Sequence, residues 1–141
     1  MNISKFTQKS VEILNNLEKI AYDFGAQEIA QEHLLYGMLT VEDSLIKKLI
    51  EKMEIDSDVF LAQVEGAVRK RPQVQGGQVY IGQDLNKVLV YAENEAKALG
   101  DEYVSVEHLF LSMLKNPSPS MKKIFNEFGI TRERFLQALS T

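Results

Sequence analysis

Shifted against itself by 75 positions, this chain matches itself without a gap, and no other feature limits its fold as strongly. Glu32-His33-Leu34 falls on Glu107-His108-Leu109, and Met38-Leu39 falls on Met113-Leu114. Leu14, Ala21 and Gly25 fall on Leu89, Ala96 and Gly100, and Ile55, Phe60 and Leu61 fall on Ile130, Phe135 and Leu136. Lys47-Lys48 falls on Lys122-Lys123. Where the copies differ, the exchange is between residues with the same local use: Asp43-Ser44 against Ser118-Pro119 both read as the start of a helix.

Each copy carries four stretches with apolar residues at helical spacing. The first covers about residues 7–24 and again 84–99, where Leu85, Val88, Leu89, Ala92, Ala96 and Leu99 form one stripe. Gly25 and Gly100 follow at the place of a left-handed C-terminal cap. The second opens near Glu32 and Glu107, with Ser105 as an N-cap and Glu107 facing the positive end of the helix dipole. The third runs through Leu45, Ile46, Leu49, Ile50 and Met53, matched by Met121, Ile124, Phe125 and Phe128. The fourth follows Asp56 and Thr131, both N-cap types. Only Gln78-Val79-Tyr80-Ile81 competes as a strand, and Pro72 with Gly76-Gly77 marks the segment before it as a linker. The expected architecture is all-α: one domain over 1–141, with repeat one at about 1–68, a linker at about 69–82 and repeat two at about 83–141. Two such four-helix units should pack about a pseudo-twofold axis and leave a groove along their seam.

Composition narrows the function. There is no cysteine, which removes disulfide and thiol chemistry and suits a reducing, cytoplasmic setting. No run approaches the roughly 18 apolar residues of a membrane span, and the first residues, Met1-Asn2-Ile3-Ser4-Lys5, lack a signal peptide's apolar core. A net charge of −4 argues against nucleic acid, for which Arg69-Lys70-Arg71 is the only support.

Catalytic signatures are missing too. No Gly-x-x-x-x-Gly-Lys-Ser/Thr loop is present to cradle a phosphate. The only histidines, His33 and His108, are repeat-equivalent, as a structural pair would be. Each Glu-His pair is adjacent in sequence, so its side chains diverge by about 100° on a helix, unlike the i, i+4 ligands of helical metal sites. We expect both histidines to cap or bridge backbone at helix starts, and expect no metal and no cofactor. Met38, Met53, Met113 and Met121 read as core, and Glu51, Lys52, Glu54 and the two Lys-Lys pairs as solvated faces.

Phe6-Thr7 at the first helix, Glu32-His33-Leu34-Leu35 and the run from Gly100 to Leu109 together resemble the duplicated N-terminal domain of the Clp family of AAA+ protein unfoldases. Arg71-Pro72-Gln73-Val74 with Gly76-Gly77-Gln78-Val79-Tyr80 looks most like the ClpB disaggregase branch. The resemblance implies a non-catalytic domain that captures unfolded or aggregated polypeptide, or adaptor proteins, for a hexameric ATPase ring. ATP and magnesium would belong to ATPase modules outside this chain, a DnaK-type chaperone would work with the full-length protein, and the fragment would be a monomer. It also implies substrate-binding roles for Thr7, Asp101, Glu107 and Glu32. The alternative branch, ClpC-like, binds adaptors or phosphoarginine through its two motif glutamates, here Glu32 and Glu107, and feeds a ClpP-type protease. That branch often carries a second threonine at the equivalent of Thr7, where this chain has Gly82.

Overall fold

The computed structural model describes residues 3–74 and 76–141. Met1 and Asn2, in the N-terminal segment, and Gln75, in the expected linker, lie outside the described residues. A short 3₁₀ turn at Ile3–Lys5 leads into α1 (Gln8–Asn15) and α2 (Leu17–Asp23). Then come β1 (Glu28–Ile29), α3 (Gln31–Thr40), α4 (Leu45–Lys52) and α5 (Ser57–Arg69). The second half follows as β2 (Tyr80–Ile81), α6 (Gln83–Ala98), α7 (Val106–Lys115), α8 (Pro119–Glu127) and α9 (Arg132–Ser140). The fold is all-α apart from this two-stranded parallel sheet.

The repeat is visible in the boundaries: α7 begins and ends 75 residues after α3, and α6 spans the positions of α1 and α2 at the same offset. One expected helix is divided. At Asn16 the amide turns back to Ile13 O at 3.2 Å, a tighter i→i−3 step, whereas α6 runs on unbroken with Tyr91 in that place. Asparagine competes for local backbone bonds and is a weak helix former.

The helix ends are built alike in both halves. After α2, Gly25 has φ 71°; its N–H donates to Tyr22 O and that of Ala26 to Ala21 O. After α6, Gly100 and Asp101 repeat the pattern on Lys97 O and Ala96 O, with φ 75° at the glycine. These are paired 6→1 and 5→2 bonds of a left-handed cap. The caps after α4 and α8 match as well, except that Glu54, at φ 62°, stands where Gly129 stands at 64°.

The strands show how the halves are joined. Gly82 N–H donates to Ile29 O at 2.9 Å, and the repeat-equivalent Thr7 N–H donates to Val104 O at 2.9 Å. The segment entering each repeat is thus held by the other repeat, a reciprocity that follows from twofold symmetry. β1 was not legible as a strand, being two residues whose pairing is entirely non-local. Nor is the linker a loose tether: Gln73 bridges Ala26, Val74 N–H donates to Gly25 O, and Tyr80 N–H donates to Gln27 O.

One core runs through both halves. Phe110 stacks on Phe135 at 4.5 Å between centroids, and Phe60 of α5 meets Phe128 edge-on at 5.1 Å across the seam. Met38, Met53, Met113 and Met121 are buried, as expected of them. Leu45 and Leu99, placed on apolar stripes by spacing, are partly exposed at helix ends, Leu99 being the C-cap of α6. Gln31 bolts the seam. Its Nε2 donates to Asp84 O and Asn116 O at 3.0 and 2.9 Å, and its Oε1 accepts from Ser118 N at 2.9 Å.

A side chain at left-handed φ costs about 1–2 kcal/mol, part of which glycine returns through its freer unfolded chain. Glu54→Gly should therefore raise stability by about 0.5–1 kcal/mol, and Gly129→Ala should lower it, both read from urea unfolding midpoints.

Candidate functional site

Both histidines of the repeated motif do the same backbone task. The amide of Ala30 donates to His33 Nδ1 at 2.8 Å, and that of Ser105 to His108 Nδ1 at 2.8 Å. Each ring supplies an acceptor for an N-cap amide, so that nitrogen is not free for a metal. The far nitrogens differ. His108 Nε2 donates to Asp101 Oδ2 at 2.8 Å. In repeat one Ala26 stands in the place of Asp101, and His33 Nε2 is buried with no partner among the described residues.

Thr7, Asp101 and Glu107 collect on the repeat-two face. Thr7 is the N-cap of α1: its hydroxyl accepts from Ser10 N at 3.3 Å, and Ser10 Oγ donates onward to Val104 O at 3.3 Å. Three residues before Val104, Asp101 is held by His108. Glu107 occupies the first turn of α7, half-buried, and no basic side chain pairs with it among the described residues. Tyr103, 53% exposed, lies between them in sequence.

Glu32 lies elsewhere. It is 2% exposed, and Arg71 reaches it from the linker, with Nη1 3.6 Å from Oε2. Arg71 Nη2 also meets Glu28 Oε1 at 3.0 Å. A Cβ at Gly82 would lie 2.8 Å from Glu28 Cγ and Cδ, so the threonine of the other repeat does not fit here while Glu28 holds Arg71. Glu28 itself stands where repeat two has Tyr103. Glu28 and Glu32 are therefore both paired with the linker's Arg71, whereas Glu107 has no basic partner among the described residues.

Glu32 and Arg71 instead line a cavity of about 560 Å³ at the seam, walled by α5, the start of α8 and the linker. It lies along the expected groove, but Thr7, Asp101 and Glu107 do not line it. The sequence pointed to neither Arg71, Glu28 nor Gln31 as site residues. Arg71 was visible as part of a basic triplet in the linker and of the run that resembles the ClpB branch, and in neither case as a site residue.

Burial, and behind it the positive charge of Arg71, lowers the pKa of His33 from 6.5 to about 4. Below 6.5 the unfolded chain takes up a proton that the native state refuses until about 4. Stability should fall as pH drops through that window, by up to about 3 kcal/mol from this group. Urea unfolding at stepped pH should show a shallower acid limb in His33→Gln than in the parent chain.

The family model of the Clp repeat (R) N-terminal domain matches residues 5–139. A chaperone protein ClpB from Nitratidesulfovibrio vulgaris is 39% identical over 99% of this chain, and one from Clostridium tetani is 33% identical over 99%. The chain spans 17% of the length of each of these relatives. Among solved structures, the Hsp104 N-terminal domain from Candida albicans superposes with a TM-score of 0.83 at 22% identity, covering 96% of this chain and 90% of that one. A complex of a ClpV N-domain with a VipB peptide gives 0.77 at 21% identity, covering 98% and 89%.

Proposed function

Because the chain belongs to the Clp repeat (R) N-terminal domain family, a small helical binding domain and not a catalytic one, we propose that it captures unfolded or aggregated polypeptide for a ClpB-like ATPase ring. The observation that carries this is the difference between the two motif glutamates. Glu32 is buried against Arg71, while Glu107, half-buried in the first turn of α7, has no basic partner among the described residues, and the loop before α7 carries the exposed Asp101 and Tyr103. An aromatic surface with a carboxylate edge suits extended segments that mix apolar and basic residues. The ClpV N-domain's complex with a VipB peptide supports a peptide as the class of ligand.

Thr7 and Asp101 shape this face more than they grip from it. Thr7 spends its hydroxyl on the α1 cap, and Asp101 holds the His108 ring that caps α7. A single open face of this size should bind weakly, with a dissociation constant of about 100 µM, roughly −5.5 kcal/mol. Weak capture lets the segment pass on, and six copies on a ring restore avidity. In the full-length protein the setting is cytoplasmic, the partners are a DnaK-type chaperone and adaptor proteins, and ATP with magnesium is bound by other modules. No helix among the described residues is long and apolar enough to cross a membrane. The ClpC-like alternative, a reader of phosphoarginine or adaptors, predicts two equivalent sites; Gly82, Glu28 and Arg71 argue against the repeat-one copy.

Fluorescence anisotropy with a labelled, permanently unfolded polypeptide whose C-terminus is amidated tests the assignment. Glu107→Gln should weaken binding about 1.5–5-fold, in the range of one lost partly exposed charge contact. Glu32→Gln should leave affinity unchanged and lower stability. Equal affinity in Glu107→Gln and the parent would remove the carboxylate from the mechanism. Tight, specific binding of free phosphoarginine would move the ClpC-like alternative ahead.

A further inference from the structure

The seam cavity carries a second assignment, which rests on the domain's being a polypeptide binder but uses none of the residues of the repeat-two face. Among the described residues, three of the buried side-chain atoms without a hydrogen-bond partner belong to residues that line this one cavity of about 560 Å³. They are Ser118 Oγ, Arg71 Nε and Glu32 Oε1. Ser118 is 8% exposed and Glu32 2%, so little solvent reaches either from outside the cavity. A buried polar group left unpaired costs about 1–3 kcal/mol, and several around one space of ligand size mark a place built for a polar guest.

The donors there suit an oxyanion. Ser118 is the N-cap of α8, yet its hydroxyl makes no cap bond. With Pro119 at the first helical position, the next amides of the turn, at Ser120 and Met121, are left uncapped at the positive end of the helix. Lys70 and Lys123 line the same space, and neither makes an ion pair among the described residues. Arg71 spends its two terminal nitrogens on Glu28 and Glu32 and keeps Nε free.

The remaining lining decides which oxyanion. Glu32 Oε1 is an acceptor that needs an N–H donor, and Asp84 and Glu127 add negative charge at the rim. A phosphate dianion would be repelled by these carboxylates and would leave Glu32 unsatisfied. The end of a polypeptide answers both needs: a monoanionic carboxylate for Ser118, Lys123 and the α8 amides, and a backbone N–H for Glu32. Ala67 and Ile124 supply an apolar wall for a small terminal side chain. We propose that the seam cavity is a second binding site, which takes the C-terminal carboxylate and last residues of a polypeptide chain.

The test uses N-acetyl-Ala-Leu-Ala as the free acid and as the C-terminal amide, followed by amide NMR shifts in this domain. The free acid should shift residues 118–123 and Arg71 saturably, and the amide should bind at least ten-fold more weakly. Ser118→Ala and Lys123→Glu should each weaken the free acid several-fold with the remaining spectrum unchanged; Ser118 makes no cap bond, so its loss should spare the fold. Glu107→Gln should leave this binding untouched, which separates it from the repeat-two face. Equal binding of acid and amide, shifts confined to the repeat-two face, or inorganic phosphate competing as well as the free acid would overturn the assignment.

Discussion

The structure depends first on an exchange between its halves. The segment that begins each repeat is tied to the other repeat by backbone hydrogen bonds, among them Thr7 N–H to Val104 O and Gly82 N–H to Ile29 O. Neither four-helix unit can finish its own entrance without its partner, and the apolar faces meet in one core with Phe60 and Phe128 across the seam. Gln31 adds a buried amide whose donor and acceptor atoms are used on both sides of the interface. A satisfied polar contact of this kind fixes the relative placement of two apolar surfaces that could otherwise slide.

On that symmetric frame, the proposed function rests on where the symmetry fails. Four positions separate the two faces. Gly82 replaces Thr7, Glu28 replaces Tyr103, Ala26 replaces Asp101, and Arg71 enters from the linker. Glu28 needs the space that a threonine at 82 would occupy, and Arg71 needs both Glu28 and Glu32. These exchanges act together: in one repeat the motif glutamate is paired from within by the linker arginine, and in the other it has no basic partner among the described residues. The same linker arginine leaves its Nε without a hydrogen-bond partner among the described residues at the seam cavity, where we propose the second site.

Much of this was legible beforehand. The 75-residue offset, the helices, the glycine caps and the histidines as caps all follow from periodicity and local chemistry, because each is settled within a turn or two of chain. What escaped was non-local. The pairing of Glu28–Ile29 with Tyr80–Ile81 has no local signature in either dipeptide. Arg71 looks like a solvated linker residue until the linker is seen folded back onto repeat one. Glu32 and Glu107 act alike only in the ClpC-like alternative, where Gly82 already breaks the pattern; the three-dimensional surroundings, set by residues 43 positions apart at Glu28 and Arg71, give Glu32 a basic partner that the sequence did not reveal.

The central claim, that the repeat-two face is the one that takes polypeptide, is tested most directly by a two-dimensional amide NMR titration of this domain with a permanently unfolded polypeptide whose C-terminus is amidated, which keeps it from the seam cavity. The account predicts saturable shifts at Thr7, Asp101, Tyr103 and Glu107, with Ile29, Glu32 and Gly82 unmoved. Shifts of equal size at both repeat-related positions, or a response centred on Gly82 and Glu32, would contradict it.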